Sequence, residues 1–529
     1  MYGRFALDPV SATIAGVHEH DHRFGDFSAE GWAARERFVD DQLSRFESLA
    51  ENELFPSERT DRGLILAELR GERALRAFAR WKRQPTLYSD VVTRAAVYAF
   101  MREHAPLADR VATLAERLAE APAVLSAAKD NLDPALVPAE WVAIALRAIP
   151  GGISFLRVDA LAMLPSATAL DRAAARAFRP ASADAANALE AYAAWLEGEL
   201  APRARGSFAI GGEAVDAWLR EKELLDHDAA SLRAWGDELR RATESELAGA
   251  AREAGDDDWR DAVARLRDDH PPAADLVGVY RMEMERSREA VAAAQLATIP
   301  YGEDLVVDAM PDYQRPTYPY AAYVGAGPFE SSRKGRFWVN VPSEGEDERT
   351  RSEQLAGHPR AGIAVIACHE GYPGHHLQLT VAADNSSLVR KSLRSNLMVE
   401  GWGLYVEELM TELGYLDAPA TKLLRLKDLL WRAARVVVDV GLSTGEMSFD
   451  EAVAFMVERA RLERPNALAE VRRYTLTPLQ PSSYALGRAA ILGLREKAKR
   501  AGWGMRAFHD RLLAAGSLPP RLLEADLGL

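Results

Sequence analysis

Apolar residues recur at helical spacing through the first half of the chain: Ala185, Leu189, Tyr192, Ala193, Leu196 and Leu200 fall on one stripe of a 3.6-residue helix. From about Ser28 to Ala294 the other positions are rich in Ala, Leu, Glu and Arg, which lose little in a helix. Ser and Asp caps, with punctuation at Pro85, Pro122, Pro134, Pro150–Gly152, Pro165, Pro202 and Pro271–Pro272, divide the stretch into separate helices. Between about Leu296 and Pro342 the pattern changes. LVVDAM, YAAYVG and RFWVNV are β-branched and aromatic runs separated by Pro/Gly turns, and predict a small sheet. RFWVNV is either an ordinary core strand or an edge able to pair with an extended peptide. Helices resume at Gly362 to about Tyr372, Leu393 to Leu413, Thr421 to Leu442, Phe449 to Leu462 and Ser483 to Ala501. The expected fold is mainly α with a small β-sheet. It divides into a helical lobe over residues 1–290 and a catalytic lobe over 291–529, forming one cooperative unit.

Composition narrows the function. The chain has 529 residues, a formal charge of −14 and a single cysteine, Cys368. The acidic balance disfavours a phosphate-tracking nucleic-acid binder. One cysteine excludes an internal disulfide framework and any Cys-based metal cluster. Trp141 to Leu156 is the most apolar stretch, but Arg147, Pro150 and two glycines interrupt it short of the roughly 18 apolar residues a bilayer span needs. The N-terminus lacks a basic start followed by an apolar core. These features predict a cytoplasmic protein with neither nucleic acid nor membrane as partner.

The chemistry concentrates in AGIAVIACHEGYPGHHLQL, residues 361–379, where an apolar run delivers His369-Glu370 and then His375-His376. In an HExxH helix two His at i and i+4 bind zinc and the Glu activates water, but here position i+4 is Pro373. On an unbroken helix His375 would lie about 9 Å and His376 about 10.5 Å along the axis from His369. Neither could then share an ion through bonds of about 2.0–2.1 Å. Pro373 removes a backbone donor and Gly374 permits a turn, so the helix is expected to break and return a later His beside His369. Glu400, in EGWGLYVEE, is the chosen third ligand; Glu407 and Glu408 compete but fit a solvated helix face better.

HEGYPGHHLQ, EGWGLYVEE and PLQPSSYALG together resemble the bacterial family catalogued as domain of unknown function 885, read as zinc metallopeptidases of the gluzincin type. The resemblance extends to GVHEHDHRFGDFS, AAYVGAGPF, RFWVNV and FHDRLLAAGSLPPRLLE, and so covers most of the chain. It implies a large helical metallopeptidase-like fold around a central cleft, with His369, His375 and Glu400 as zinc ligands and Glu370 as general base. Manganese or cobalt would suit the same donors. His375 is preferred to His376, whose position is the more variable in the family; His376 would bond substrate or orient a ligand. Tyr484 is the candidate donor to the developing oxyanion, with Tyr405 second. The expected activity is zinc-dependent hydrolysis of peptide or peptide-like amide bonds in short substrates. The alternatives are a non-peptide amide or ester hydrolase and a catalytically inactive metal-binding helical protein.

Other motifs compete. His18-Glu19-His20-Asp21-His22 is a literal HExxH, but it lacks an apolar face and a downstream Glu, and only His18 and Asp21 match the family pattern. GLSTG, residues 441–445, matches GxSxG without the strand that motif needs, so Ser443 reads as a turn residue; the family typically has His there. Arg435 and Asp439 are spaced for a helix ion pair. Ser331-Ser-Arg-Lys334 and GAG at 325–327 read as loop, and Cys368 as a packed thiol.

Overall fold

In the computed structural model, helices carry most of the chain and three short strands pair into one sheet among the described residues. Those are residues 2–311, 314–315, 318, 320–343 and 345–529, with only the backbone of Tyr2. The fold is therefore mainly α with a small sheet. Contacts gather the chain into two compact units that interleave along the sequence.

The first unit comprises residues 1–50, 69–210 and 326–332. Its helix Ala169–Trp195 opens with a reciprocal cap between Thr168 and Asp171 and buries Phe178, Ala185, Leu189 and Tyr192, the predicted stripe. Pro150 does not end a helix as expected. The helix Ala139–Ser154 runs past it into a wide turn, Phe155–Asp159, where Ser182 Oγ donates to the Leu156 carbonyl at 2.8 Å. By length and composition alone Ala139–Ala162 could cross a membrane; Trp141, Val142, Ala145, Ile149, Phe155 and Leu156 are buried within the protein.

The second unit comprises residues 51–68, 211–325 and 333–529. Residues 211–290 belong here, so neither unit follows the 1–290 and 291–529 division. The cause is packing: helix Ala229–Glu253 lies so close to Pro419–Thr444 that a Cβ on Gly236 would stand 2.6 Å from Val436 Cγ1. Leu247 and Trp259 share a core cluster there with Leu423, Leu426 and Leu430.

The sheet holds β1 (Asp304–Ala309), β2 (Ala321–Val324) and β3 (Lys334–Val339) in the order β1-β3-β2, with β3 parallel to β1 and antiparallel to β2. RFWVNV thus supplies the central strand. Both its edges are paired, which removes it as a docking edge for a peptide. Phe337 and Val339 pack with Tyr280, Val307, Ile363 and Ala367, anchoring the first of six helices that build the site. These are α1 (Arg360–Glu370), α2 (His375–Ala383), α3 (Asn396–Glu412), α4 (Pro419–Thr444), α5 (Arg464–Leu476) and α6 (Ser483–Arg500). Helices α3 and α6 cross closely at Gly401 and Gly487, where a Cβ on Gly401 would stand 2.4 Å from Gly487 Cα. Ser443 lies in the last turn of α4, buried and helical rather than in a turn, because the helix runs to Thr444 and Gly445 takes the left-handed cap.

Candidate functional site

Helix α1 buries Ile363 and Ala367 against the sheet, so His369 and Glu370 emerge together at its C-terminal end. The helix stops there, as Pro373 and Gly374 predict. The chain doubles back so tightly that a Cβ on Gly374 would stand 1.8 Å from the His369 carbonyl oxygen, a path open only to glycine. Helix α2 then begins at His375, whose ring lies edge-on to that of His369 with centroids 4.7 Å apart. Helix α3, capped by the Ser395 hydroxyl, brings Glu400 to the pair. One donor atom each from His369, His375 and Glu400 lie within 4.8 Å of one another.

Several features shape this group. His369 Nδ1 meets Glu407 Oε1 at 2.7 Å, leaving Nε2 as its other donor atom. Glu407 is 2% exposed, a buried carboxylate rather than the solvated face expected of it. It lies seven residues after Glu400, hence on the same face of α3 two turns on; that spacing was the available signal. Glu408 instead bonds Arg488 at 2.7 Å. A Cβ on Gly403 would stand 2.7 Å from His369 Nε2, so glycine leaves room for the ring. Burial works against the charge of Glu400, but the polar contact from His375, the nearby imidazoles and the Tyr484 hydroxyl outweigh it and hold the carboxyl down at about 2.

His376 is not part of the group. It is fully buried, with Nε2 2.8 Å from Glu303 Oε2 and Nδ1 3.1 Å from the Tyr323 hydroxyl, so neither nitrogen is left for a substrate or an ion. Glu303 also bonds Arg288 and the Tyr372 hydroxyl. Tyr323, on β2, and Glu303, just before β1, become site neighbours only through the sheet. Burial and then the charges of Glu370 and Glu303 push the Tyr323 hydroxyl pKa up.

Tyr484 adjoins the group, its hydroxyl within hydrogen-bonding reach of Glu400. Burial and the Glu400 charge push that hydroxyl up to about 12. Gln480 Nε2 donates to Glu400 Oε1 at 3.2 Å, a contact the sequence did not suggest. Tyr405 is buried, its hydroxyl 2.8 Å from His509 Nε2, and does not reach the group. Arg435 and Asp439 do not pair with each other. Arg435 donates to Tyr474 and Glu470, while Asp439 accepts from the backbone of Leu479 and Ser482 and from the Ser482 hydroxyl, fixing the turn that leads into Tyr484. Cys368 is fully buried, and burial raises its thiol pKa well above the ordinary value.

In the first unit His18 and Asp21 join His104, but none of residues 17–22 is helical, and His20 and His22 lie outside the cluster. Both His18 nitrogens face carboxylates, Asp21 at 2.8 Å and Glu330 at 3.2 Å. This is a charge network rather than an HExxH helix. Burial opposes the His18 charge, yet the bonds to Asp21 and Glu330 prevail and raise its pKa to about 9. The imidazolium therefore stabilises the fold fully below about pH 6.5, and that contribution is lost as pH rises through 9. The melting temperature is expected to fall between pH 6.5 and 9 by the equivalent of about 2–3 kcal/mol, and His18→Gln to flatten that fall. Equal slopes in both proteins would remove the imidazolium from the account.

The pattern of the family described as "Bacterial protein of unknown function (DUF885)" matches residues 9–527. The chain belongs to this family. Among curated proteins nothing matches. Two solved structures share the fold. One, described as a "putative lipoprotein of unknown function" from Shewanella oneidensis, has a TM-score of 0.80 and 23% identity over 100% of this chain and 97% of its own. The other, described as a "putative lipoprotein" from Colwellia psychrerythraea, has a TM-score of 0.79 and 18% identity over 99% of this chain and 96% of its own.

Proposed function

We propose that the site is that of a zinc-dependent hydrolase of the gluzincin type, acting on peptide or peptide-like amide bonds of short substrates. The observation that carries this reading is the return of His375 to His369 and Glu400, with donor atoms within 4.8 Å of one another. The donors suit such an ion. His375 Nε2 stands 3.5 Å from Glu400 Oε2. That is long for a hydrogen bond and near the roughly 3.3 Å between two atoms sharing a tetrahedral ion at about 2.0–2.1 Å. Glu407 fixes His369 as a carboxylate behind a ligand imidazole does.

A zinc ion held by these residues would supply Lewis acidity and lower the pKa of a bound water. Glu370, adjoining His369 but outside the donor group, takes a proton from the attacking water and returns it to the leaving nitrogen. Tyr484, whose single hydroxyl proton goes to Glu400 in the free site, turns that proton toward the oxygen that becomes negative as the carbonyl is attacked.

Hydrolysis of a peptide library is expected to be abolished by a chelator and restored by zinc, with one zinc bound per chain. Stoichiometric zinc retained by both His369→Ala and His375→Ala would overturn the site. Cytoplasmic location stays an expectation beside the lipoprotein descriptions of the two structural neighbours. Fractionation of cells making the tagged protein decides between cytoplasm and a membrane-anchored or exported setting.

A further inference from the structure

The chain is acidic overall, yet the wall beside Glu400 is basic. Helix α4 contributes Lys427, Arg432 and Arg435, which surround the Trp431 ring at 5.4, 4.9 and 4.3 Å. Helix α5 adds Arg473. Asp428 and Glu470 are the carboxylates bonded to them, so four cations face two anions and the cluster carries a net +2. Arg435 is committed, held by Tyr474 and Glu470 and lying 4.8 Å over the Tyr484 ring. Arg473 also bonds Glu470, at 3.0 Å through Nη2, but its side chain is 37% exposed and its Nη1 reaches toward the candidate site through Gln480.

Gln480 measures the distance. Its Nε2 donates to Glu400 Oε1 at 3.2 Å and its Oε1 accepts from Arg473 Nη1 at 2.9 Å. With one amide width between these bonds, the guanidinium lies within roughly 8.5 Å of Glu400. An extended chain advances about 3.3–3.6 Å per residue, so a group held by Arg473 lies one or two residues from a bond cut beside Glu400. A guanidinium fork there matches a carboxylate in shape and charge. The carboxylate that every unmodified peptide carries at a fixed spacing from its last amide bonds is its C-terminal one.

We propose that Arg473 receives the free C-terminal carboxylate of the substrate, so that the site releases one or two residues from the C-terminus of short peptides. The proposal rests on the hydrolase reading above. In the step it specifies, the water oxygen bonds to the carbonyl carbon and the C–N bond breaks with its electron pair on nitrogen. Both water protons finish on that nitrogen, giving a carboxylate and an ammonium.

The test separates binding from cleavage. Zinc-loaded Glu370→Gln protein is dialysed against N-acetylated tetrapeptides with free C-termini and against the matched C-terminal amides, and retention is read by mass spectrometry. Free acids are expected to bind at least about tenfold more tightly than amides, a preference lost in Glu370→Gln/Arg473→Ala and partly kept with Arg473→Lys. Equal retention of acids and amides, retention of neither, or a preference that survives Arg473→Ala overturns the proposal. Cleavage of amidated peptides by the wild type at undiminished rate would overturn C-terminal recognition while leaving a peptidase. Acid-selective binding without any Glu370-dependent hydrolysis would overturn the hydrolase reading and leave the carboxylate site.

Discussion

Glu370→Gln is expected to lower kcat for peptide hydrolysis by about 10²–10⁴-fold while leaving zinc affinity and melting temperature unchanged. The separation of these effects follows from where Glu370 lies. The donor group consists of His369, His375 and Glu400, and Glu370 is not in it. It is the last residue of α1, half-buried, close enough to Tyr280, Tyr323 and His375 for its charge to act on all three. Glutamine keeps the volume of the side chain and can still donate and accept hydrogen bonds, but it cannot take a proton from water. Loss of a group needed only in the transition state lowers kcat and kcat/KM together, with little change in KM. A variant retaining more than about a tenth of the activity would remove Glu370 as base. A variant that loses zinc would make it a ligand instead.

The site was legible in the sequence where local chemistry sets geometry. Pro373 and Gly374 cannot continue α1, and the turn they impose is what returns His375 to His369. The three apolar runs before α1 fall on the three strands within two residues, because β-branched and aromatic side chains suit a half-buried pleat. Legibility fails where partners come from distant segments. Glu407 looked like half of a solvated pair, since nothing local shows that His369, 38 residues earlier, packs against that face of α3. His376 adjoins a ligand candidate, yet α2 turns it toward Glu303 and Tyr323, whose nearness depends on the sheet. Arg435 and Asp439 have the spacing of an ion pair, but each finds stronger partners in α5 and in the 479–482 turn. Order within the sheet was equally hidden: composition marks RFWVNV as a strand and cannot say that β1 and β2 take both its edges.

The close crossing of α3 and α6 gives the second large effect, expected in Gly487→Ala. A Cβ there would stand 1.9 Å from the Leu397 carbonyl oxygen and 2.7 Å from Gly401 Cα. Both obstacles are backbone, so no side-chain rotation relieves the overlap and the helices must part. The expected cost is about 2–4 kcal/mol of stability, at or above the upper end for overpacked sites because rigid chain opposes rigid chain. Parting also draws Tyr484, one turn earlier on α6, away from Glu400 on α3, so activity is expected to fall further than the loss of folded protein explains. Gly493 supplies the control on the same helix: it is exposed, and a Cβ there meets nothing within 4 Å. Gly493→Ala should stabilise by about 0.5–1 kcal/mol, as replacing a mid-helix glycine does. Denaturant unfolding of the two variants therefore predicts shifts of opposite sign. Stabilisation of both variants would mean that helix propensity, rather than the glycine crossing, governs α6, and that the crossing does not hold Tyr484 at Glu400.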